Sequence, residues 1–245
     1  MHPGFPLLLL PGTLCSEALF APQLTALADV CAPQVVAVHL QDQLAAVAQY
    51  VLTQVQGKIA VAGLSYGGIV ALEMWRQAPE RILKLALLNT NPHAASAQTR
   101  ANQQRFVGMA HLGEFREITT DFLKDTMLHP DHQQDIALRQ TVLHMAEQIG
   151  AAGFVNTVKA QLARPNAVPN LPHITCPTLV LTGREDRVVP LSIHEAMAAA
   201  LPNSRLVVLE QCGHLSTLEQ PARVNAALRD WLMGVGIWND EGAAP

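Results

Sequence analysis

Residues 58–78 read KIAVAGLSYGGIVALEMWRQA, and this stretch indicates the fold more strongly than any other. Its first five residues form an apolar run that predicts a buried strand, and the residues after Ser65 have the apolar spacing of a helix. Gly63 and Gly67 stand two positions from Ser65 on either side. A serine in so tight a turn needs tiny neighbours, and the turn presents its hydroxyl at a helix N-terminus, where backbone N–H groups favour an oxyanion. We therefore predict that Ser65 is a nucleophile.

Similar apolar runs and helical patterns alternate along most of the chain. The runs are continuously apolar, which indicates strands buried on both faces of a sheet. They occupy residues 5–10, 34–39, 58–62, 82–88, 178–182 and 205–209. The helical patterns occupy residues 20–28, 40–55, 66–78, 192–201 and 220–233. This order predicts an α/β fold with a doubly wound, mostly parallel sheet of about six strands.

One long segment, residues 93–164, interrupts the alternation because no strand pattern occurs in it. Helical patterns fill it instead, near residues 95–109, 114–126, 130–149 and 151–163. Since the segment begins after one predicted strand and ends before the next, we expect it to form a helical cap over one edge of the sheet. Residues 1–92 and 165–235 would then form the core domain, and the polar residues 236–245 a flexible tail.

A serine hydroxyl is a weak nucleophile, so the site requires a base and an acid that holds the base. The chain has 10 histidines. His214 follows the predicted strand at residues 205–209 and precedes the last predicted helix, which places it at the carboxyl edge of the sheet with Ser65. Most other histidines fall on predicted cap helices or loops, where packing or solvated roles are expected. We therefore predict that His214 is the general base.

The acid is expected in the loop after the predicted strand at residues 178–182. That loop contains Glu185 and Asp186 side by side. Asp186 gives the chain order serine, acid, histidine that is typical of this kind of turn. We favour it over Glu185 because its shorter side chain should lie deeper in the loop. The preceding strand is followed by NTN at residues 89–91, which offers no carboxylate to hold a charged imidazole.

Two backbone N–H groups should stabilise the oxyanion of the reaction. One belongs to Tyr66, the residue after the nucleophile. We assign the other to Thr13, in the loop after the first predicted strand; the alternative is that Thr13 only stabilises the turn.

Most apolar side chains of the cap should pack in its core, and the rest should line an apolar pocket for short or medium uncharged acyl groups. The candidate substrate-binding residues are Leu14, Phe106, Met109, Phe115, Met127 and Phe154.

Composition and charge exclude several other classes of protein. The chain has 16 lysine and arginine residues against 20 aspartate and glutamate residues, so no basic excess is present to bind nucleic acid. The N-terminal leucine run is too short for a signal peptide or a membrane span. No phosphate-binding glycine motif and no metal-ligand spacing occurs, so neither a cofactor nor a metal is expected. The spacing of the four cysteines predicts free thiols in a cytoplasmic protein.

Together these residues resemble the α/β-hydrolase superfamily over nearly the full length of the chain. The matching pieces are LLLLPGT, GLSYGGIVALEM, APERILKLALLN, CPTLVLTGREDRVVP and CGHLSTLEQPARVNAALRDWL. They look most like the small, capped esterase, lactonase and thioesterase branch. The resemblance implies Ser65 as nucleophile, Asp186 as acid and His214 as base. The sequence departs from the family at Pro11, where a histidine is usual, and the family's first two antiparallel strands are not expected.

The expected function is that of a serine hydrolase that cleaves a small carboxylic ester through an acyl-enzyme on Ser65. A serine at this position argues against the dehalogenases and epoxide hydrolases of the same fold, which use aspartate. Thioesters, lactones, the carbon–carbon bonds of diketones and perhydrolysis remain open, because the same triad serves each reaction. A non-catalytic module that binds a small molecule is the alternative from a different class, since a fold alone does not establish a function.

Overall fold

Six parallel strands form one sheet in the computed structural model, which describes residues 5–235 without the side chains of residues 121–125. The predicted tail at residues 236–245 lies outside the described residues. The strands are β1 (Pro6–Leu10), β2 (Ala32–Val35), β3 (Ile59–Leu64), β4 (Ile82–Leu88), β5 (Thr178–Gly183) and β6 (Ser204–Leu209). Their order across the sheet is β2-β1-β3-β4-β5-β6, and every neighbouring pair is parallel. The predicted doubly wound α/β sheet is confirmed.

Helices cover both faces of the sheet and one of its edges. They are α1 (Ala21–Ala26), α2 (Leu44–Thr53), α3 (Tyr66–Gln77), α4 (Ala97–His111), α5 (Phe115–Asp125), α6 (Ile136–Leu162), α7 (Leu191–Ala200), α8 (Ser216–Glu219) and α9 (Pro221–Met233). Within residues 5–235, we find no helix with the length and apolar character that crossing a bilayer would require.

Strand β1 shows why the strands inside the sheet consist almost entirely of apolar residues. Leu7 and Leu9 are fully buried in a cluster with α9 and the segment around α1. Leu8 and Leu10 are equally buried on the opposite face, in a cluster with α2, α3 and α7. Because side chains alternate between the faces of a strand, a sheet covered on both sides needs apolar residues throughout. Each such leucine stabilises the fold by about 1.5–3 kcal/mol relative to exposure.

The chain reverses its direction across the sheet between β1 and β3. After β1 it moves outward to β2, and from β3 it moves the other way through β4 and β5 to β6. The loops after β1 and β3 therefore separate, which opens a crevice at the carboxyl ends of the strands. All the candidate catalytic residues lie on loops or helix starts at this edge.

Strand β2 differs from its predicted extent at residues 34–39. It begins at Ala32 and ends at Val35, with one further bond from the Val36 N–H to the carbonyl of Leu9 at 3.1 Å. Among the described residues its partner strand is β1, which ends at Leu10 before Pro11. Within this part of the chain, the later apolar residues of the predicted strand have no strand beside them. The next helix was predicted from residue 40 and begins instead at Leu44.

The segment predicted as a cap contains α4, α5 and α6, which pack on one another. Helices were predicted separately at residues 130–149 and 151–163. The structure divides α6 at the same place, because Gly150, with a φ of +68° and a ψ of 173°, is not helical; the difference is that the first of the two helical pieces begins at Ile136. Asp135 caps its start by accepting a bond from the Leu138 N–H at 3.0 Å. At the other end of the segment the Arg164 Nε donates to the carbonyl of His93 at 2.8 Å, which ties the two ends together.

Candidate active site

Ser65 occupies the tight turn between β3 and α3. Its φ is +55°, a left-handed conformation that costs a non-glycine residue about 1–3 kcal/mol. Two features hold it: the Ser65 N–H donates to the carbonyl of Leu88 at 2.9 Å, and the Thr90 hydroxyl donates to the Ser65 carbonyl at 2.7 Å. A Cβ at Gly63 would overlap the backbone of Gly67, and a Cβ at Gly67 would overlap the carbonyl of Leu10. Both glycines are therefore required by close backbone contacts.

His214 and Asp186 form a buried pair beside this turn. The His214 Nδ1 lies 2.9 Å from Oδ2 and 3.1 Å from Oδ1 of Asp186. An ionised carboxylate only accepts hydrogen bonds, so the Nδ1 carries the hydrogen and the Nε2 is left with its lone pair. Burial alone would raise the pKa of Asp186, but the His214 ring and the donors around the carboxylate hold this pKa below its ordinary value. Two of those donors are the N–H groups of Val188 and Val189, at 2.8 and 2.9 Å from Oδ1.

Asn89 is a member of this cluster that the sequence analysis missed. It follows β4 with a φ of +47° and is fully buried. Its Nδ2 donates to Oδ2 of Asp186 at 2.9 Å and to the carbonyl of Gly213 at 3.2 Å. Its Oδ1 accepts a bond from the Ser216 hydroxyl at 2.6 Å. The Asn89 amide thus connects Asp186 to the loop that carries His214. The sequence signal that could have identified Asn89 is its position at the end of β4, the strand beside β5.

Glu219 fixes the loop of His214 from the other side, and its side chain is completely buried. Its Oε1 accepts bonds from the N–H groups of Gly213 and Leu215 at 3.1 and 3.2 Å. Its Oε2 accepts one from the His129 N–H at 2.7 Å and lies 2.9 Å from the His132 Nδ1. The same carboxylate therefore holds both the His214 loop and the segment after α5.

The second acid considered in the sequence has a different place. The Glu185 Oε2 accepts a bond from the Cys212 N–H at 3.0 Å, and no bond to the His214 ring is described. Glu185 thus supports the backbone two residues before the imidazole, whereas Asp186 contacts the imidazole itself.

The two predicted oxyanion donors lie on either side of Ser65. Tyr66 is the first residue of α3, so its N–H has no partner within the helix. Its ring is fully buried in the core, and burial raises the pKa of its hydroxyl. Thr13 belongs to the loop after β1, which comes so close that a Cβ on Gly12 would lie 3.3 Å from the Ser65 Cβ. Thr13, Ser65 and His214 line the same cavity.

This cavity has a volume of about 110 Å³ and a mostly apolar wall. Of the six predicted substrate-binding residues, Phe106, Met127 and Phe154 line it. The other three are not among the residues that line it. Leu14 is buried in a separate apolar cluster formed mainly by α4, α5 and α6, and Met109 and Phe115 are partly buried against that cluster, with the Phe115 ring centred 6.0 Å from that of Phe154.

Several residues of the cavity wall were not predicted. They include Val158, Val188, Leu215 and two polar residues, Gln103 and Gln161. Positions 154, 158 and 161 lie one and two turns apart on α6 and share one face of the helix. This helical spacing from Phe154 could have identified Gln161 as a residue of the cavity wall. Within the described residues, no group of three or more metal-ligating side chains is placed to hold a metal ion.

Comparisons with known proteins agree with this architecture. The alpha/beta hydrolase family matches residues 4–227. A 2-hydroxymuconate semialdehyde hydrolase of Pseudomonas putida is 28% identical over 177 residues, which are 70% of this chain and 61% of that protein. A pimeloyl-[acyl-carrier protein] methyl ester esterase of Aromatoleum aromaticum is 26% identical over 202 residues, 75% of this chain and 77% of that protein.

A solved structure shows the same likeness over more of the chain. It is a thermophilic esterase from Thermogutta terrifontis, 26% identical, with a TM-score of 0.87 over 96% of this chain and 92% of that one. By contrast, this chain spans about three fifths of the length of the Pseudomonas putida relative. The family match nevertheless covers the β3–α3 turn and the loops of Asp186 and His214, and the chain belongs to the α/β hydrolase family.

Proposed function

We propose that this protein is a serine hydrolase that cleaves a small, uncharged carboxylic ester through an acyl-enzyme on Ser65. One observation carries the proposal. The His214 Nδ1 is held by the buried Asp186 carboxylate at 2.9 Å, which leaves its Nε2 as a base in the cavity that also contains Ser65.

The proposed reaction uses the residues in their usual order of events. His214 takes the proton of the Ser65 hydroxyl as its oxygen attacks the ester carbonyl. The backbone N–H groups of Tyr66 and Thr13 stabilise the negative oxygen of the tetrahedral intermediate. His214 then gives its proton to the departing alkoxide, which leaves as an alcohol. A water molecule, deprotonated by His214, attacks the acyl-enzyme, and the carboxylic acid is released as the Ser65 oxygen takes that proton from His214.

The cavity wall supports an uncharged substrate. None of the described residues that line it is lysine, arginine, aspartate or glutamate, so an anionic acyl group would lose its hydration there without gaining a charged partner. The methyl ester esterase of Aromatoleum aromaticum is a relative whose name states ester cleavage, and it aligns with 75% of this chain. This supports an ester as the first substrate class to test.

Hydrolysis of a carbon–carbon bond is the second candidate, because a relative is a 2-hydroxymuconate semialdehyde hydrolase. That substrate is named as a muconate, which carries a carboxylate. The lining described for this cavity offers no cation to receive one. Thioester and lactone cleavage would use the same three residues and differ only in the leaving group.

The test combines active-site labelling with a substrate panel. A fluorophosphonate should label the wild-type protein at Ser65 and leave Ser65→Ala unlabelled, with intact-protein and peptide mass spectrometry as the readout. Asp186→Asn should label far more slowly, because labelling requires an oriented base. Fast labelling and turnover of p-nitrophenyl esters support the proposal. Absence of labelling in folded wild-type protein would favour a binding module, and turnover of vinylogous diketones with no ester turnover would favour carbon–carbon hydrolysis.

A further inference from the structure

Three uncharged polar side chains form a hydrogen-bonded line across the otherwise apolar wall of the cavity. In this amide line, the Gln161 Nε2 donates to the Thr13 hydroxyl oxygen at 2.7 Å, and the Gln103 Nε2 donates to the Gln161 Oε1 at 3.4 Å. All three residues line the cavity that contains Ser65 and His214. The proposed reaction on Ser65 uses neither glutamine side chain, so the line calls for a different role.

Both ends of the amide line are open toward a ligand. The Thr13 oxygen accepts the bond from Gln161, which leaves the hydroxyl hydrogen of Thr13 for an acceptor in the cavity. At the other end, the Gln103 Oε1 is buried and has no hydrogen-bond partner among the described residues. Buried polar atoms are almost always paired, so this acceptor calls for a donor that comes with the ligand.

The amide line is held in place by the helices that carry it. Gln161 is itself buried, on α6, two turns after Phe154. Gln103 lies on α4, and the Arg100 Nη1 of the same helix donates to the carbonyl of Leu162 at 2.7 Å. This bond fixes α4 against α6 one turn from Gln103. The polar groups are therefore positioned before any ligand arrives, which is what selective hydrogen bonding requires.

From this arrangement we infer that the preferred acyl group carries a hydroxyl that pairs with the amide line. A hydroxyl donates one hydrogen bond and accepts others, which matches the free acceptor of Gln103 and the free donor of Thr13. A terminal carboxylate would place a negative charge against the Gln103 Oε1, and a plain alkyl chain would leave that oxygen unpaired. The inference rests on the proposed ester hydrolysis and names its substrate class: uncharged hydroxyacyl esters.

The test compares esters that differ in one hydroxyl. Methyl hexanoate, its 3-hydroxy and 5-hydroxy derivatives as separate enantiomers, and monomethyl adipate are supplied to the wild-type protein, and acid release is followed in a pH-stat. At least one hydroxy ester should have a kcat/KM about tenfold above that of methyl hexanoate, the effect of one satisfied buried hydrogen bond. Monomethyl adipate should be the poorest substrate.

The variants assign the preference to the amide line. Gln103→Met keeps the length of the side chain and removes both polar atoms, so the ratio of hydroxy to plain ester should fall to about 1. Gln161→Met should lower the same ratio, because it removes the side chain that links Thr13 to Gln103. Gln104→Met is the matched control, because it makes the same change at an exposed neighbouring position on α4 and should leave both rates unchanged.

The outcomes separate this inference from the proposed function. Turnover of methyl hexanoate with a hydroxy ratio of 1 or less in the wild type would overturn the hydroxyacyl inference alone. A tenfold ratio that survives Gln103→Met, while thermal unfolding shows the variant to be folded, would also overturn it. No turnover of any ester together with no labelling of Ser65 would overturn the proposed function itself.

Discussion

His194 lies beside the proposed catalytic pair, and its burial should make the protein sensitive to acid. The side chain is fully buried on α7, with its Nδ1 3.3 Å from the carbonyl of Pro190 and its Nε2 without a hydrogen-bond partner in the described structure. The pKa of His194 is lowered to about 4, chiefly by burial and to a smaller extent by the nearby His214, against the opposing effects of the Asp186 charge and the Pro190 carbonyl. The histidine is therefore neutral in the folded protein near pH 7.

The sign of the effect follows from comparing the folded and unfolded states. In the unfolded chain the imidazole titrates near its ordinary value of about 6.5. Between that pH and about 4 the unfolded chain binds a proton that the folded protein does not, so stability falls as the pH falls through this window. The full difference between the two pKa values corresponds to about 3 kcal/mol, and most of this stability should be lost by pH 4.5.

Urea unfolding at pH 7.5 and pH 4.5, followed by tryptophan fluorescence, measures this loss. His194→Leu replaces the imidazole with a side chain that does not titrate. The variant keeps every carboxylate of the wild type, so the carboxylates should contribute equally to the loss of stability in both proteins. The wild type should therefore lose about 2–3 kcal/mol more of its free energy of unfolding than the variant between the two pH values. Equal losses in the two proteins would refute the assignment of this acid sensitivity to His194.

Four further predictions concern the proposed site. Ser65→Ala should fold normally and lower kcat at least ~10³-fold in ester assays. Asp186→Asn should lower kcat on the order of 10⁴-fold, whereas Glu185→Gln should change it little because its amide oxygen still accepts the Cys212 N–H; the reverse ranking would overturn the choice of acid. Asn89→Ala should lower kcat about tenfold to hundredfold with little change in KM, since it removes a charge-assisted bond to Asp186. Dialysis against EDTA should leave ester turnover unchanged, and a loss restored by added metal would contradict a metal-free mechanism.

The parts of the fold that could be predicted are those determined by local sequence. The turn at Ser65 needs small residues at fixed positions, so its glycines identify it without knowledge of distant contacts. Continuous apolar runs likewise locate the inner strands, because burial on both faces favours apolar residues at every position. The end of β2 was not predictable in this way, since it depends on where β1 ends, and that strand is a neighbour only in three dimensions.

The unpredicted residues of the candidate site make contacts across long stretches of sequence. Asn89 and Asp186 are 97 positions apart, and Gln161 and Thr13 are 148 apart. From the sequence alone, an asparagine after a strand and a glutamine on a helix are expected to lie on the protein surface. Only the assembled sheet edge and the cap helices show that these amides are buried and paired. For apolar residues the sequence is equally ambiguous, because Met109 and Phe115 are as apolar as the residues of the cavity wall, yet they lie partly buried against the neighbouring helices.

The attachment of residues 127–132 to the His214 loop limits how this protein could be rebuilt. The His214 N–H donates to the carbonyl of Met127 at 3.0 Å, and Glu219 binds the His129 N–H at 2.7 Å. A Cβ at Gly213 would collide with the backbone of Leu128 and His129. A chimera that exchanges the whole insertion for that of another family member would therefore leave the His214 loop with broken hydrogen bonds. Grafts that replace only α4 and α5, and retain residues 127–132, would change the α4 side chains that line the cavity while preserving the bonds that hold the His214 loop.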